Sequence, residues 1–308
     1  GKSMSGYVCG WDGGGTKTEV LCLSLNGETL ADAAFGPLNL NGADPERVCA
    51  TIRDSVGFMA NQPGGLAACQ ALVIGTAGVS NRAAVALVEQ TVREAGYQGP
   101  LQLLGDQEIA LAGAVRGPGA VLVAGTGSIC CGRSAQGERV RSGGYGYLID
   151  DEGSGYALGR DILKAVVRAA DGRGSETALT AMVFDTLHAA DISAVITWLY
   201  APQTGKKDVA ALAPLLLRAL AMQDAAAQAI ADHAAAELAA LACAVWKRLG
   251  LTAGELALNG SILLRYDRIR AGVTERCHAV YPQMEIIQPR ASAAMGAALL
   301  ALALKEEN

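Results

Sequence analysis

The stretch Tyr7-Val8-Cys9-Gly10-Trp11-Asp12-Gly13-Gly14-Gly15-Thr16-Lys17-Thr18-Glu19-Val20-Leu21-Cys22-Leu23 consists of a β-prone run, a glycine turn and a second β-prone run. The residues after the glycines decide which kind of loop this is. A P-loop needs G-x-x-x-x-G-K-[ST] at the start of a helix. Counted from Gly10, Thr16 stands where the lysine belongs, and Glu19 to Leu25 has a strand pattern. A dinucleotide loop, G-x-G-x-x-G, also opens a helix and fails on the same ground. The remaining possibility is a β-hairpin whose tip, Gly13, Gly14 and Gly15, carries no side chains, so that backbone N–H groups can approach an anion. Thr16 would add a hydroxyl donor and Lys17 a counter-charge. Asp12, ending the first strand, could hold a Mg²⁺ ion through water, since magnesium keeps much of its hydration shell. The competing reading is an ordinary tight turn in which Asp12 bonds its own backbone.

Outward from this hairpin, Asn26-Gly27 leads into a third strand over Glu28 to Phe35. The pattern then predicts a helix from Pro45 to Met59, a strand at Ala71 to Ile74, a helix at Arg82 to Glu94 and a strand at Leu101 to Leu104. After Gly117-Pro118-Gly119 the same programme restarts: Ala120 to Ala124, the turn Gly125-Thr126-Gly127-Ser128, Ile129 to Arg133, Gln136-Gly137, and Glu138 to Arg141. This is an internal repeat of strand, glycine turn, strand, turn and strand. Two equivalent sheet domains are the economical explanation, at 1–118 and 119–291. Helices are expected at Tyr156 to Ala169, at Ser175 to Leu199 and along the Ala-rich stretch Val209 to Leu249, with a strand next at Glu255 to Leu258. A last helix within 292–308, from Ser292 to Leu304, would pack back on the first domain.

Composition narrows the function. The chain has 308 residues, 51% of them hydrophobic and 18% charged, with a net charge of -5, which suits a globular protein with a sizeable core. No basic run tracks a phosphate backbone, which argues against a nucleic-acid partner. The longest apolar run, Ala291 to Leu304, is shorter than the roughly 20 residues that cross a bilayer, and Gly1 to Ser5 is polar with no apolar leader behind it. The eight cysteines form no C-x-x-C pair and read as reduced core residues of a cytoplasmic protein. His188, His233 and His278 are widely spaced and carry no metal or catalytic assignment, and Trp198 and Trp246 read as packing residues.

Further motifs carry chemistry. Gly125, Thr126, Gly127 and Ser128 occupy in the repeat the place of the first glycine turn, and two such cradles can clamp a triphosphate. Asp106 comes after the strand at Leu101 to Leu104 and precedes an apolar helical pattern; it is either a helix N-cap or a carboxylate that orients and deprotonates an acceptor hydroxyl. Ser142 to Ser154 is dense in glycine and holds Tyr145, Tyr147 and acidic residues, which favours a ligand-lining loop. The alternative for Asp151 and Glu152 is placement of acids in the first turn of the next helix. Asn259, Gly260 and Ser261 join a strand to a helix, where exposed N–H groups could meet a nucleotide.

Taken in order, Gly10-Trp11-Asp12-Gly13-Gly14-Gly15-Thr16-Lys17-Thr18, Gly105-Asp106, Gly125-Thr126-Gly127-Ser128, Gly143-Gly144-Tyr145-Gly146 with Asp151-Glu152-Gly153-Ser154, and Leu258-Asn259-Gly260-Ser261 resemble the sugar kinase/actin superfamily. Within it they resemble the N-acetylglucosamine kinase and BadF/BadG-type ATPase family. The resemblance covers nearly the whole chain and implies an α/β, two-domain actin/hexokinase-like fold of duplicated ribonuclease H-like domains with an interdomain cleft. It implies ATP and Mg²⁺ as cofactors, an amino sugar as partner and Asp106 as catalytic base. Asn39, Gly144, Tyr145 and Asp151 match sugar-binding positions, Asn41 being a rival for Asn39. Ile129 and Tyr145 replace an asparagine and a tryptophan of the animal N-acetylglucosamine kinases, which keeps glucosamine or another hexose open as acceptor. A BadF-type activator bearing an iron–sulfur cluster is the alternative from another class, and the Ala-rich helices offer a surface for a homodimer.

Overall fold

The computed structural model describes residues 6–41 and 44–307; the reading of Gly1 to Ser5 lies outside them. They fall into two compact units, one comprising the chain up to Arg116 together with Pro289 onward, the other Gly117–Gln288.

The first unit opens with β1 (Tyr7–Gly13), β2 (Thr18–Ser24) and β3 (Thr29–Phe35). Then come α1 (Pro45–Ala60), β4 (Cys69–Thr76), α2 (Arg82–Glu94), β5 (Leu101–Gly105) and α3 (Asp106–Ala114). The second unit repeats the strand programme with β6 (Gly119–Ala124), β7 (Ser128–Arg133) and β8 (Arg139–Gly143). It continues through α4 (Gly155–Ala170), α5 (Leu179–Leu187), α6 (Ile192–Leu199), α7 (Lys206–Ala210), α8 (Leu215–Ala221) and α9 (Ala225–Leu249). It ends with β9 (Gly254–Asn259), α10 (Ser261–Arg265), α11 (Asp267–Val280) and β10 (Met284–Ile287). The final helix, α12 (Ala293–Glu307), belongs to the first unit.

The sheet orders are β3-β2-β1-β4-β5 and β8-β7-β6-β9-β10. In each, the first three strands form an antiparallel meander and the last two run parallel to the central strand. The repeat in the sequence is therefore a repeat of topology, strand for strand.

β1 is apolar along nearly its whole length because both of its faces are covered. Tyr7, Cys9 and Trp11 point to one side, into a core with Ile52 and Val56 of α1 and Val88 and Val92 of α2. Val8 points to the other, against Ala294, Ala297, Ala298 and Ala301 of α12. This alternation is the period-2 geometry of a strand. On the α12 side the contact is backbone to backbone: a Cβ at Gly10 would lie 2.1 Å from the Ala298 nitrogen, and α12 meets α3 as closely, since a Cβ at Gly296 would lie 2.0 Å from the Ile109 carbonyl oxygen. Small residues on both partners permit that approach.

In the second unit α9 is the central helix, with Ala231, Leu238, Ala242, Val245 and Trp246 buried against the sheet and its neighbours. It is long and apolar enough to cross a membrane by length and composition, and half of that apolar window is inside the unit's core.

The structure divides the long helical stretches read from the sequence. Ser175 to Leu199 holds two helices: His188, left-handed at φ 52°, ends α5, and Asp191 starts α6 by accepting from the Ala194 amide at 2.9 Å. Val209 to Leu249 holds parts of three. Pro214 interrupts the chain before α8, and Gln223 at φ 58° separates α8 from α9. The elements α11 and β10 have no counterpart in the sequence reading.

Candidate nucleotide and sugar site

In the first unit, the C-terminal ends of the parallel strands β1, β4 and β5 place Asp12, Thr76 and Asp106 along one edge of the sheet. This is the edge at which open α/β sheets bind ligands. The hairpin is tied off by the Gly14 amide donating to the Lys17 carbonyl at 2.9 Å. Gly15, Thr16 and Lys17 are exposed, and a Cβ on Gly15 would meet nothing within 4 Å. Glycine at position 15 therefore answers no packing demand of the protein, as expected of a position that leaves room for a ligand. Gly13 differs: its missing Cβ makes room for Leu38, whose side chain it would approach to 2.8 Å.

Leu38 anchors the next loop. Its amide donates to the Gly14 carbonyl at 2.9 Å, and its carbonyl accepts from Thr76 Oγ1 at 2.8 Å. Asn39 comes directly after it and is half-buried; its Oδ1 accepts from the Asn41 amide at 2.9 Å, and its NH₂ makes no hydrogen bond among the described residues. Asn41 is exposed and lies beside Gly78.

The Asp106 side chain does not cap α3. Gly105 is the N-cap, Asp106 is the first helical residue, and the helix has no side-chain cap hydrogen bond. The carboxylate is exposed and makes no hydrogen bond among the described residues. Asp12 is paired across the hairpin with Glu19. Burial first, and then the charges of Glu19 and Asp106, push the Asp12 carboxyl above its ordinary range, with Lys17 opposing them. Lys17 itself reaches Glu19 at 3.0 Å. Three carboxylates offset by one ammonium make a negative site that suits a divalent cation. No group of three or more ligating side chains converges on one point among the described residues; a single carboxylate such as Asp12, reached through water, is compatible with the way magnesium is commonly held beside phosphate oxygens.

In the second unit the equivalent turn is tighter. The Gly125 amide donates to the Gly127 carbonyl at 2.9 Å, and Thr126 is exposed at the tip. A Cβ on Gly125 would meet nothing within 4 Å, as at Gly15. Ser128 is buried and committed within the protein: its amide donates to Asp151 Oδ1 at 3.1 Å and its hydroxyl to the Glu152 carbonyl at 2.7 Å. Gly260 closes onto the same turn. At φ 93° it has no room for a side chain, since a Cβ would lie 2.3 Å from the Ala124 carbonyl oxygen, and this brings Asn259 and exposed Ser261 beside the turn.

Asp151 precedes α4 and is not in its first turn; Ser154 is the N-cap, its Oγ accepting from the Ala157 amide at 3.2 Å. Asp151 is buried and left-handed at φ 61°, a conformation costly for most side chains and tolerated by Asp and Asn. The preceding loop turns through Gly143, Gly144 and Gly146, all at positive φ. Tyr145 is exposed, its amide donating to Asp150 Oδ2 at 3.2 Å and its ring lying 5.3 Å from the Arg141 guanidinium. Ile129 lies beneath Gly144. Glu19 and Lys206 escaped the sequence reading. Glu19 was accessible by counting the hairpin register across from Asp12. Lys206, whose ammonium is 3.9 Å from Asp151 Oδ2, gave no local signal.

Together the duplicated sheet order and the paired glycine turns define an actin/hexokinase-like fold. The chain belongs to the BadF/BadG/BcrA/BcrD ATPase family, whose profile matches residues 9–301. It is 32% identical to the N-acetylmuramic acid/N-acetylglucosamine kinase of Clostridium acetobutylicum, over 96% of this chain and 98% of that protein. It is 30% identical to the N-acetyl-D-glucosamine kinase of Dictyostelium discoideum, with the same coverage of 96% and 98%. Among solved structures, one provisionally assigned as an N-acetylglucosamine kinase of Chromobacterium violaceum superposes with a TM-score of 0.70 at 28% identity, covering 97% of this chain and 99% of that one.

Proposed function

We propose that the protein is an ATP-dependent kinase that transfers the γ-phosphoryl group to a hydroxyl of an amino sugar, N-acetylglucosamine in the first place. The observation that carries the reading is the Asp106 carboxylate: exposed, free of a capping bond, and at the strand-end edge that also holds Asp12. Asp106 orients the acceptor hydroxyl and takes its proton as the oxygen attacks phosphorus and ADP departs. Asp151, with Tyr145, Gly144 and Asn39, binds the sugar. Gly13, Gly14, Gly15, Thr16 and Lys17 in one unit and Gly125, Thr126 and Gly127 in the other bind phosphate, Ser128 bracing the second turn; Asn259, Gly260 and Ser261 adjoin the nucleotide.

Bound magnesium would neutralise charge on the phosphates, held through water by Asp12. The eight cysteines are all free, which suits the reducing cytoplasm in which we place the protein. The test is ADP release with N-acetylglucosamine, glucosamine and glucose, run beside Asp106→Ala. Sugar-dependent release that the substitution abolishes is expected. ATP hydrolysis independent of sugar, or full activity in the variant, overturns the reading.

A further inference from the structure

Outside the candidate site, two cysteines of the second unit meet across a contact between helices. α9 and α11 pack closely: Arg268 pairs with Asp232 at 3.0 Å, and a Cβ on Gly272 would lie 2.7 Å from the Ala235 Cβ. Ile269, Val273 and Cys277 have the i, i+4, i+8 spacing of one helix face. They are buried in the core that also takes Ala235, Ala239 and Ala242 of α9, and Cys243 of α9 packs against that core. The Cys277 thiol donates a hydrogen bond to the Cys243 sulfur.

The two thiols are not equivalent. Cys277 has no exposed surface, whereas Cys243 is half-buried. The hydrogen bond from Cys277, opposed by partial burial, holds the Cys243 thiol below its ordinary range; the same bond, then burial, raises Cys277. Cys243 is therefore the thiol that ionises, and the thiolate is the form that attacks an electrophile. Cys130 of β7 belongs to the same core and is fully buried, which raises its thiol. No group of three or more ligating side chains among the described residues is placed to hold a metal. What the contact offers is a reachable thiolate touching a protected thiol, the arrangement of a redox-reactive cysteine beside a resolving one.

We propose that Cys243 and Cys277 are a peroxide-reactive pair, Cys243 meeting the oxidant and Cys277 closing a disulfide that ties α9 to α11. The Cys243 thiolate attacks one oxygen of hydrogen peroxide: an S–O bond forms, the O–O bond breaks, sulfur gives two electrons to the peroxide, and hydroxide leaves. The Cys277 sulfur then attacks the Cys243 sulfenic acid. The S–S bond forms, the S–O bond breaks, and the thiol proton departs with the hydroxide as water. In a reducing compartment such a bridge is transient and is undone by thiols. Leu238 and Leu241, just before Cys243, lie against Gly153 and Gly143, so the bridge forms on the helix that supports both ends of the Ser142–Ser154 loop. None of this chemistry depends on the kinase reading.

The experiment treats the reduced, folded protein with hydrogen peroxide, quenches in acid, blocks the remaining thiols and maps the peptides by mass spectrometry without reductant. Expected are the loss of two of the eight thiols, a pair of peptides joined through Cys243 and Cys277, and the return of both thiols with dithiothreitol. Cys277→Ala should stop at the sulfenic acid, trapped on Cys243 by dimedone, and Cys243→Ala should leave Cys277 unoxidised. Alkylation of the native wild type needs no variant: iodoacetamide should modify Cys243 before Cys49, the other half-buried cysteine, and the Cys243 rate should level off at a lower pH. Oxidation of Cys49 ahead of Cys243, a bridge from Cys243 to Cys130, or eight thiols intact after peroxide would overturn the proposal.

Discussion

Asp151 Oδ1 accepts a hydrogen bond of 3.1 Å from the Ser128 amide, so a residue of the Ser142–Ser154 loop fixes the start of β7, where the glycine turn ends. Gly127 makes this closeness possible, since a Cβ there would lie 3.0 Å from the same carboxylate oxygen. The sugar-binding candidate and the phosphate-binding candidate of the second unit are thereby mechanically joined. Removing Asp151 should disturb both the fold and the ligand, and the two effects can be separated by the choice of substitute.

Asp151→Asn keeps an oxygen acceptor for the Ser128 amide and a side chain that tolerates the left-handed backbone. Asp151→Ala does neither, leaving a buried N–H unsatisfied. Denaturant unfolding should show the alanine variant destabilised by about 1–3 kcal/mol and the asparagine variant by roughly 1 kcal/mol or less. Both should raise the sugar KM, because both lose the charge that accepts from sugar hydroxyls. An asparagine variant with an unchanged sugar KM would remove Asp151 from the binding site and leave it a strut.

The glycines permit a sharper contrast. Gly10 and Gly15 stand five residues apart in one hairpin, yet a Cβ on Gly10 meets the α12 backbone at 2.1 Å and one on Gly15 meets nothing within 4 Å. Gly10→Ala should destabilise the protein by on the order of 3 kcal/mol, because a backbone cannot rotate out of the way as a side chain can. Gly15→Ala should leave the unfolding midpoint within about 0.5 kcal/mol of wild type. It should nevertheless raise the KM for ATP, since the methyl group occupies space proposed for phosphate. Unaltered ATP kinetics in Gly15→Ala would reduce the turn to a simple hairpin.

The fold was legible where short-range chemistry decides it. A glycine turn between two β-prone runs specifies a hairpin whatever surrounds it, and the second copy after Gly119 exposed the duplication. Legibility failed where the deciding event leaves no local mark. His188 and Gln223 break helices in left-handed conformations without being glycine, and in an Ala-rich background nothing distinguishes them from helical residues. β10 is a four-residue parallel edge strand, too short for its alternation to register. The same limit applies to the site. Asp12, Asp106 and the two turns stand at strand ends and could be placed by reading strands. The Asp151 to Ser128 bond spans 23 residues and Lys206 lies 55 beyond Asp151, contacts that only the packed structure brings together.

Asp106 is the test of chemistry as distinct from structure. As an exposed first-turn residue without a capping bond, its loss should cost the fold within about 0.5 kcal/mol. As a general base, its replacement by asparagine should lower kcat by roughly 10²- to 10⁴-fold. Equilibrium unfolding and ADP release on the same preparation give both numbers. A large loss of stability accompanying the loss of rate would mean that the carboxylate supports α3 and that the drop in activity reports misfolding.

Asp12 supplies a dependence on pH whose sign is fixed by its surroundings. Burial, Glu19 and Asp106 raise its carboxyl above the ordinary 3.8. Between that value and the raised one, the folded protein binds more protons than the unfolded chain, so stability falls as pH rises through this window. The ionised carboxylate is thus a burden on the ligand-free fold at neutral pH and none at pH below about 4. Asp12→Asn, which removes the charge and keeps the shape, should melt at a higher temperature than wild type at pH 7, and the gap should close as the pH is lowered through the window. Asp106→Asn should recover part of the same gain by withdrawing one of the repelling charges. Magnesium and ATP should then stabilise the wild type more than Asp12→Asn, because the ion uses the charge that burdens the empty protein. A variant less stable than wild type at pH 7 without ligand would show that Asp12 makes a stabilising bond in the fold, and would reverse this account of why a half-buried carboxylate stands near the end of β1.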